Sequence, residues 1–367
     1  MSKATSPREG AAGKSTAPVG ERAKSPKKKK AKTADAKGGT VSKFVESTPA
    51  PRADLGADQR KLTVVYWNCN GLKSTLKNRP EYLTKLAETS KADVICLAET
   101  KLQATDVPAV EKDVAAVLPH YRPIWACCTT KKGYSGVVAL LRTEILAPMR
   151  PQSLGNAAVK VETPEASVES YNIASGHRGV GIPPIKSEYN SEGRVITLNF
   201  DKPNIYLVFA YVPNSGDGLK RIRYRIDAWE ADMRSFLSEL AREKPVAYVG
   251  DLNVAHLDSD IWNPTAKHLE KSAGTTKEER ETMGRLLDAG FVDGFRHFHP
   301  EAAGHFTYWS VRARNLQHNR GLRLDYTLVS EGMVKGESPE QLGDAFILKD
   351  VCAPHGDHCA VGMAIKY

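Results

Sequence analysis

The cysteine spacing of a zinc site or a redox pair is missing from this sequence of 367 residues. Its six cysteines include no two at Cys-X-X-Cys spacing, and several of them lie inside apolar runs. Zinc sites and dithiol redox motifs usually carry that spacing, and disulfides are rare inside cells. We therefore expect buried free thiols rather than metal ligands or disulfides.

Long hydrophobic runs are also missing. Although 41% of the residues are hydrophobic, no stretch approaches the roughly 18 uninterrupted apolar residues of a membrane-spanning helix. The N-terminal region lacks the apolar run of a secretory signal as well. These absences predict an intracellular protein with a sizeable core and no membrane partner.

An excess of positive charge is confined to the start of the chain. The net charge is +9, and residues 1–60 contain 14 Lys and Arg against 6 Asp and Glu. Residues 61–367 contain 38 basic and 37 acidic residues and are therefore nearly neutral. The basic composition of the whole chain is thus weak evidence for a DNA-binding surface on its folded part.

Residues 1–58 have the composition of a disordered tail. They are rich in Lys, Ala, Ser, Pro and Gly, and their only aromatic residue is Phe44, so they can bury too little apolar surface to offset ordering. Lys27–Lys30 form a basic run typical of a nuclear-localisation or nucleic-acid-binding segment. A solubilising charge run is the alternative. We predict a nuclear protein and leave a mitochondrial pool open.

Residues 59–367 alternate predicted strands with predicted helices. A periodic apolar stripe predicts a helix over about 219–242, and further helices are predicted over 80–90 and 276–289. Helices between strands, together with consecutive strands, favour an α/β sandwich of packed sheets in one domain. Strands are predicted at 62–67, 94–97, 136–141, 195–200, 205–211, 246–250, 325–329 and 358–365.

Residues 150–190 do not fit this pattern. They are polar and weakly periodic, they contain glycines, and Pro183-Pro184 lie near their end. We predict a long surface insertion in the domain.

Polar residues follow or open most of the predicted strands, where α/β folds place their sites. An Asn or Asp after a strand is more often a turn-former than a catalyst, so each residue is weak evidence alone. Together they combine carboxylates for a hard cation, a His–Asp pair and amides that can hydrogen-bond an anion. The set consists of Asn68, Asn70, Glu99, Tyr211, Asn214, Asp251, Asn253, Asp325, Asp357 and His358.

Eight short blocks resemble the exonuclease III-like apurinic/apyrimidinic (AP) endonucleases of the endonuclease/exonuclease/phosphatase superfamily. Each block alone is weak evidence, but all eight occur in order over about 61–367. The resemblance implies a DNase I-like, four-layered α/β sandwich, with two packed mixed β-sheets flanked by helices. The blocks are YWNCNGL at 66–72, LAETK at 97–101, GYSGV at 133–137, EGRVI at 192–196, YVPNSG at 211–216, GDLNVAH at 250–256, GLRLDY at 321–326 and DHC at 357–359.

The resemblance also implies an activity and a cofactor. A monomer would hydrolyse the phosphodiester 5′ to abasic sites in duplex DNA during base excision repair, with 3′-phosphodiesterase or 3′–5′ exonuclease activity on blocked 3′ ends. Glu99 would be the main ligand of Mg²⁺, or of Mn²⁺, with Asn70 and Asp357 near the ion. The wider set of candidate metal ligands adds Asp251, Asn253 and His358.

Catalytic roles follow from the same resemblance. Asp251 would position or deprotonate the attacking water, and His358, paired with Asp325, would contact the scissile phosphate. Asn68 would orient Asp251 or His358. Phosphate oxygens would be held by Tyr211, Asn214 and Asn253. The implied substrate contacts further include Arg194, with Tyr308, Trp309, Leu322 and Leu324 near the pocket for the abasic sugar.

Several positions depart from the pattern of the family. Asn70 stands where many relatives have Asp, and Leu322 stands where animal relatives have Trp, although bacterial relatives also use Leu. Asp217 replaces an Arg that enters the DNA groove in the human-type enzyme, and Gly356 replaces the usual Ser. These changes affect the selectivity of the pocket and the binding of DNA rather than the hydrolytic reaction.

Two other classes of function compete with this hypothesis. A phosphodiesterase or phosphatase acting on inositol phosphates or lipids is disfavoured by the blocks at 211–214 and 321–325. A non-enzymatic DNA-binding or scaffold protein would be expected to lose its catalytic groups, which are all retained. Cleavage that follows an abasic lesion in duplex DNA discriminates these alternatives.

Overall fold

A computed structural model describes residues 52–56, 59–146, 158–162, 167–172, 191–352 and 356–367. Most of the predicted tail, including Lys27–Lys30, lies outside these residues. Its last part does not behave as a separate tail, because Arg52 forms an ion pair with Asp344 and lies over the ring of Phe346. Within the described residues, no helix is both long and apolar enough to cross a membrane.

The described residues form two mixed β-sheets. The first has the strand order β12-β13-β1-β2-β4-β3, and the second has the order β10-β11-β9-β8-β7-β6-β5. The strands are β1 (Lys61–Asn68), β2 (Val94–Ala98), β3 (Tyr121–Ala126), β4 (Val137–Arg142), β5 (Ala158–Glu162), β6 (Ser167–Asn172), β7 (Val195–Asn199), β8 (Tyr206–Tyr211), β9 (Val246–Asp251), β10 (Phe291–Asp293), β11 (Asp325–Ser330), β12 (Gln341–Leu348) and β13 (Ala360–Lys366).

Helices cover the outer faces of both sheets. A π-helical stretch, Tyr224–Glu230, leads directly into one of them. The α-helices of the described residues are α1 (Leu72–Asn78), α2 (Pro80–Ser90), α3 (Val107–Val117), α4 (Thr143–Leu146), α5 (Ala231–Glu243), α6 (Lys277–Asp288), α7 (Gly294–Phe298), α8 (Gly332–Lys335) and α9 (Lys349–Cys352).

The side chains of β1 show how the four layers arise from a buried strand. Successive side chains point to opposite faces of a sheet. Val64 therefore packs in the core between the two sheets, together with Phe209 of β8. Val65 packs on the other side, against Leu83 of α2. The second sheet repeats the arrangement, with its own apolar layer against α5. The predicted α/β sandwich is confirmed.

Several segments differ from the sequence-based expectation, among them β10 and β12, which were not predicted. The predicted insertion at 150–190 contains β5 and β6, which extend the second sheet through backbone pairing with β7; the rest of it lies outside the described residues. β3 was not predicted, since Pro123 and Arg122 interrupt its apolar pattern. It lies at the edge of the first sheet, where proline is tolerated because one side of the strand needs no partner.

Candidate active site

Strand direction brings the predicted site residues to one end of the sandwich. β1 runs parallel to β2, and β8 runs parallel to β9, so polar residues that follow these strands lie at shared edges. β11 runs antiparallel to β9, and its first residue, Asp325, pairs directly with the last residue of β9, Asp251. His358 precedes β13, which runs antiparallel to β1, and therefore lies near the end of β1. Topology thus assembles residues from distant positions in the chain.

Glu99 lies at the centre of the hydrogen bonds at the ends of β2 and β8. Its Oε1 accepts hydrogen bonds from Asn68 Nδ2 at 3.1 Å and from the Tyr211 hydroxyl at 2.8 Å. Its Oε2 lies 3.1 Å from Lys101 Nζ. Burial alone would raise the pKa of Glu99, but the Asn68 hydrogen bond and the Lys101 charge outweigh burial and lower it. Glu99 is therefore an ionised carboxylate.

Asp357 and Asn70 lie together in a more exposed position. Asn70 Nδ2 donates to the two carboxylate oxygens of Asp357 at 3.3 and 3.2 Å. The amide oxygen of Asn70 accepts a hydrogen bond from Lys101 Nζ, the same ammonium that contacts Glu99. These groups supply two carboxylates and an amide oxygen in an environment that already attracts a positive charge. Such a donor set suits a hard divalent cation.

A second group of titratable side chains lies deeper. His358 Nδ1 lies 2.8 Å from Asp325 Oδ2, and His358 Nε2 lies 3.8 Å from Asp251 Oδ2. Ligand atoms of the three residues lie within 4.8 Å of one another. Burial and the negative charge of Asp325 raise the pKa of Asp251. Burial lowers the pKa of His358, but the two aspartates outweigh it, and the net shift is upward. The arrangement favours an imidazolium held by Asp325 beside a carboxyl that can exchange a proton.

Asn68 connects these two groups. Besides Glu99, its Nδ2 donates to Asp251 Oδ2 at 3.1 Å, and the side chain is buried. The backbone N–H of Asn70 in turn donates to Asn68 Oδ1 at 3.2 Å. The structure therefore places Asn68 where the sequence-based hypothesis needs it, against Asp251. Its orientation fixes Asp251 relative to Glu99.

Arg194 lies nearly buried beside Tyr211. Its side chain is 1% exposed and lies behind Tyr211, donating to the Tyr211 carbonyl oxygen at 2.9 Å and to the Tyr134 hydroxyl at 2.7 Å. It also pairs with Glu192. The guanidinium holds neighbouring protein groups, and Arg194 also lines a surface cavity with Tyr211 and Asn214, so the expected substrate contact stays a prediction. Arg194 supports Tyr211.

Asn214 and Asn253 join the loops after β8 and β9. Asn214 Nδ2 donates to Asn253 Oδ1 at 2.8 Å, and Asn253 Nδ2 donates to the carbonyl oxygen of Val212 at 2.9 Å. The N–H of Asn253 donates to Asp251 Oδ1 at 2.9 Å. The side chain of Asn253 is thus used between the loops and not directed to the Glu99 cluster. Asn214 is exposed and remains available to an anion.

Three of the four residues predicted around the abasic sugar lie together beside His358. The ring of Tyr308 lies 5.0 Å from the ring of His358, between centroids, and Tyr308 pairs with Leu322 through backbone hydrogen bonds. Both side chains are partly exposed, and Leu324 packs beneath them as a nearly buried residue. An apolar surface therefore adjoins the imidazole of His358.

Trp309 is the exception and corrects the prediction. It is 1% exposed, packs with Phe306 and Cys359, and donates its indole N–H to Asn319 Oδ1 at 3.1 Å. Its backbone N–H donates to the carbonyl oxygen of Asp357 at 2.7 Å. Trp309 thus belongs to the core and holds the backbone of Asp357 in place. It does not line the pocket.

Lys101 is a site residue that the sequence-based hypothesis missed. It follows Glu99 by two residues inside the block LAETK, so the signal was present in the sequence. Both Glu99 and Lys101 adopt a positive φ, at 51° and 57°. This turn places the ammonium against the carboxylate that precedes it.

Comparison with known proteins agrees with this geometry. The profile of the Endonuclease/Exonuclease/phosphatase family matches residues 65–343. The chain belongs to this family. Among its relatives, an exodeoxyribonuclease of Bacillus subtilis is 36% identical over 305 residues, which are 83% of this chain and 100% of the relative. The DNA repair nuclease APEX1 of Danio rerio is 33% identical over 319 residues, which are 87% and 86% of the two chains.

A solved structure of the family supports the same fold. The AP endonuclease of Leishmania major is 26% identical and has a TM-score of 0.70, covering 91% of this chain and 97% of its own. The predicted family and the DNase I-like fold are therefore confirmed. Divalent-cation dependence is a property of nucleases of this family, and among the described residues Asp251, Asp325 and His358 form a group that could hold a metal ion.

Proposed function

We propose that the protein is a magnesium-dependent AP endonuclease of base excision repair. It hydrolyses the phosphodiester 5′ to abasic sites in duplex DNA and also processes blocked 3′ ends. The observation that carries the proposal is the buried Asp251 beside the His358–Asp325 pair, joined to ionised Glu99 through Asn68. The Leishmania relative is named an AP endonuclease, the Danio rerio relative a DNA repair nuclease and the Bacillus relative an exodeoxyribonuclease, and these names support the proposal.

The protein groups have complementary roles in this reaction. Asp251 orients the attacking water and takes up its proton as the bond from water oxygen to phosphorus forms. The imidazolium of His358, held by Asp325, stabilises the negative charge that develops on the phosphate oxygens. Burial raises the pKa of the Tyr211 hydroxyl and keeps it neutral; its single O–H is donated to Glu99 in the structure, so it would have to turn away from Glu99 to hydrogen-bond the phosphate. The phosphorus–oxygen bond to the 3′ oxygen breaks, and that oxygen takes a proton from solvent water to become a hydroxyl, while Asp251 returns its proton to solvent.

Glu99, Asp357 and the amide oxygen of Asn70 would hold Mg²⁺, and Mn²⁺ fits the same oxygen donors. When bound, the cation neutralises charge on the phosphate and on the leaving oxygen. Lys101 contacts two of these donors in the structure, so it has to give way or share them when the cation binds. The wider set of candidate ligands adds Asn253, Asp251 and His358, and ligand atoms of Asp251 and His358 lie within 4.8 Å of each other and of Asp325.

The proposal is tested with the purified full-length protein, Mg²⁺ and a duplex that carries one abasic analogue. We expect one cut, directly 5′ to the lesion, leaving a 3′ hydroxyl, and no internal cut in the matched undamaged duplex. Release of phosphate from inositol phosphates, without incision at the lesion, would instead support the rival phosphodiesterase function.

Selectivity for an abasic sugar has a physical basis in the pocket. A sugar without a base is small, and it flips out of the duplex at lower cost because no stacking or pairing has to be broken. Tyr308, Leu322 and Leu324 form the apolar surface beside His358 that can receive it. Leu322 occupies less volume than the Trp of animal relatives, so we propose that the pocket also accepts 3′-terminal nucleotides.

Leu322→Trp should therefore lower 3′-end processing relative to abasic-site incision. The larger indole fills the space that a terminal nucleotide needs, whereas the smaller abasic sugar still enters. Both activities are measured on matched duplexes, with Leu257→Trp as the control because Leu257 is an exposed leucine. An unchanged ratio of the two rates, in a variant of normal thermal stability, would remove Leu322 from the selectivity argument.

We further propose that the protein acts as a monomer in the nucleus, with Lys27–Lys30 as the localisation signal. The same tail would add affinity for DNA, because residues 1–60 carry nearly all of the net positive charge. Neutralisation of phosphates by Lys and Arg releases counterions and makes the affinity dependent on salt. A mitochondrial pool is an outcome that the localisation experiment can detect.

Removal of residues 1–51 should weaken DNA binding and flatten its salt dependence, while turnover at saturating DNA stays nearly unchanged. This truncation keeps Arg52, which pairs with Asp344 of the domain. Binding is measured across a salt series. A full-length variant in which Lys27–Lys30 are replaced by glutamine is measured in parallel. Both variants should also accumulate less in the nucleus. Loss of turnover on truncation would show that the tail belongs to the catalytic unit.

A further inference from the structure

A buried ion pair lies beneath the two loops that carry Tyr211, Asn214 and Asp251. Arg225 belongs to the π-helical stretch and Glu279 belongs to α6, and the side chains of both are 0% exposed. Arg225 Nη1 lies 2.9 Å from Glu279 Oε1. Burying two charges carries a desolvation penalty that often cancels the attraction between them. The ion pair is therefore weak evidence for added stability of the fold. The other hydrogen bonds of Arg225 and Glu279 account for its position.

Arg225 holds the loop that follows β9. Its Nη2 donates to the carbonyl oxygen of Leu252 at 2.7 Å, and its Nη1 donates to the carbonyl oxygen of Asn253 at 2.7 Å. Hydrogen bonds from a guanidinium are stronger than those between neutral groups, and its planar geometry sets the directions of both carbonyls. Asn253 has a φ of 50°, a conformation that few residues adopt without support. One side chain thus orients both peptide groups that follow Asp251.

Glu279 extends the connection to the loop after β8. Its Oε1 accepts a hydrogen bond from the Ser215 hydroxyl at 2.5 Å, and Ser215 directly follows Asn214. Its Oε2 accepts from the backbone N–H of Gly274 at 2.8 Å and from the hydroxyl of Thr276 at 2.8 Å. Three chain segments therefore meet at one carboxylate, and both of its oxygens are satisfied within the protein.

The two loops are joined on both sides. On the side of the site, Asn214 and Asn253 meet through a hydrogen bond of 2.8 Å. Beneath the site, Ser215, Glu279 and Arg225 form a continuous chain of hydrogen bonds to the carbonyl of Asn253. A movement of one loop relative to the other breaks contacts in both layers. The geometry of the reacting groups consequently depends on the buried pair.

We propose that Arg225 and Glu279 are positioning residues for phosphodiester hydrolysis. They set the distance between the phosphate-contacting loop at 211–215 and the loop at 251–253, and they do so without touching the substrate. This inference rests on the proposed function of Asp251 and Asn214. A misplacement of about 1 Å at a reacting group can lower a rate by roughly 100-fold, so a small loop movement has a large effect on turnover.

The first test is Arg225→Lys, which retains the charge but loses the planar pair of donors. We expect kcat to fall by about 10- to 100-fold, with KM changed by less than about threefold because most DNA contacts are to phosphates elsewhere. The matched control is Arg142→Lys. Arg142 also donates to a backbone carbonyl, that of Ala92, and pairs with Asp93, but at the end of β2 opposite Glu99. The kcat of Arg142→Lys should equal that of the wild type, even if the variant loses as much thermal stability as Arg225→Lys.

A second variant guards against a failure of Arg225→Lys to fold. Ser215→Ala removes only the hydroxyl that reaches Glu279, and we expect kcat to fall by roughly three- to tenfold, on the scale of one lost hydrogen bond. If both residues act through Glu279, the double variant should lose less than the product of the two single effects. Independent, multiplicative losses, or a kcat within twofold of wild type in folded Arg225→Lys, would overturn the inference.

Hydrogen exchange separates this inference from the proposed function. Peptides that cover 251–255 should exchange faster in Arg225→Lys than in the wild type and the Arg142→Lys control, whatever substrate the protein cuts. A wild-type protein that does not incise abasic duplex, but whose loop still loosens in Arg225→Lys, refutes the function and leaves the positioning role standing. Unchanged exchange at 251–255 in the folded variant refutes the positioning role itself.

Discussion

Asp251→Asn and His358→Asn should each lower the rate of phosphodiester hydrolysis by roughly two to four orders of magnitude, the usual scale for a positioned acid–base group. Asparagine cannot take up the proton of the attacking water at position 251. At position 358 it cannot carry the positive charge that the imidazolium presents to the phosphate. Binding to abasic DNA should largely survive, because most of the affinity comes from other phosphate contacts.

The measurement is single-turnover incision at saturating protein, together with an equilibrium binding titration on the same duplex. Asp344→Asn is the matched control, since Asp344 is a buried aspartate that pairs with Arg52 at the opposite end of β1 from Asn68. It should cut at the normal rate. If folded Asp251→Asn or His358→Asn turned over at nearly the wild-type rate, that residue would have no role in the chemistry.

Removal of divalent cations should abolish incision, and added Mg²⁺ should restore it. Glu99 is ionised and Asp357 and Asp251 lie nearby, so without a cation these carboxylates repel the phosphate. A bound metal supplies several kcal/mol of charge stabilisation in the transition state, which corresponds to a rate factor of roughly 1000. Undiminished cutting in excess chelator would contradict the metal assignment.

Glu99→Gln tests the same assignment with a readout besides activity. The neutral amide should weaken the binding of Mn²⁺, measured by electron paramagnetic resonance, and raise the concentration of Mg²⁺ needed for incision. Glu111→Gln is the control, because Glu111 accepts a hydrogen bond from Trp125 on the outer helical layer, away from the site. Equal Mn²⁺ affinity in the wild type and Glu99→Gln would move the metal to another set of ligands.

The fold was largely predictable because each predicted strand is a short apolar run bounded by polar residues. β2, β8 and β9 agree with the prediction to within one residue at each end. The helix predicted over 276–289 is observed as α6, where Thr276 and Glu279 form reciprocal side-chain to backbone hydrogen bonds at the N-terminus. Such patterns are local, so a single sequence contains them.

The strands β5 and β6 were not predicted because the stretch 150–190 as a whole is polar and weakly periodic, although Val159 and Val161 alternate with charged residues within β5. Pairing with β7 supplies the order that their own composition does not indicate. The π-helical stretch that ends in Glu230 was likewise hidden inside the longer apolar stripe predicted as a helix. Here tertiary contacts, rather than local propensity, decided the backbone.

By itself, the sequence determined which chemical groups are present and the strand ends at which they lie. Asp251, Asp325 and His358 could be selected because they end, open or precede buried strands. Only the tertiary structure decided which polar and aromatic groups face the substrate. Arg194 belongs to one of the sequence blocks and Trp309 directly follows Tyr308, yet both are buried, since the direction of a side chain depends on what packs against it.

The connection between Arg225 and Glu279 could not be read from the sequence at all. The two residues are 54 positions apart on different elements, and neither position carries a motif that links them. Their pairing arises because the π-helical stretch and α6 pack side by side over the second sheet. Local patterns determine strands, helices and the identity of reactive groups, whereas contacts between distant segments determine the distances at which those groups act.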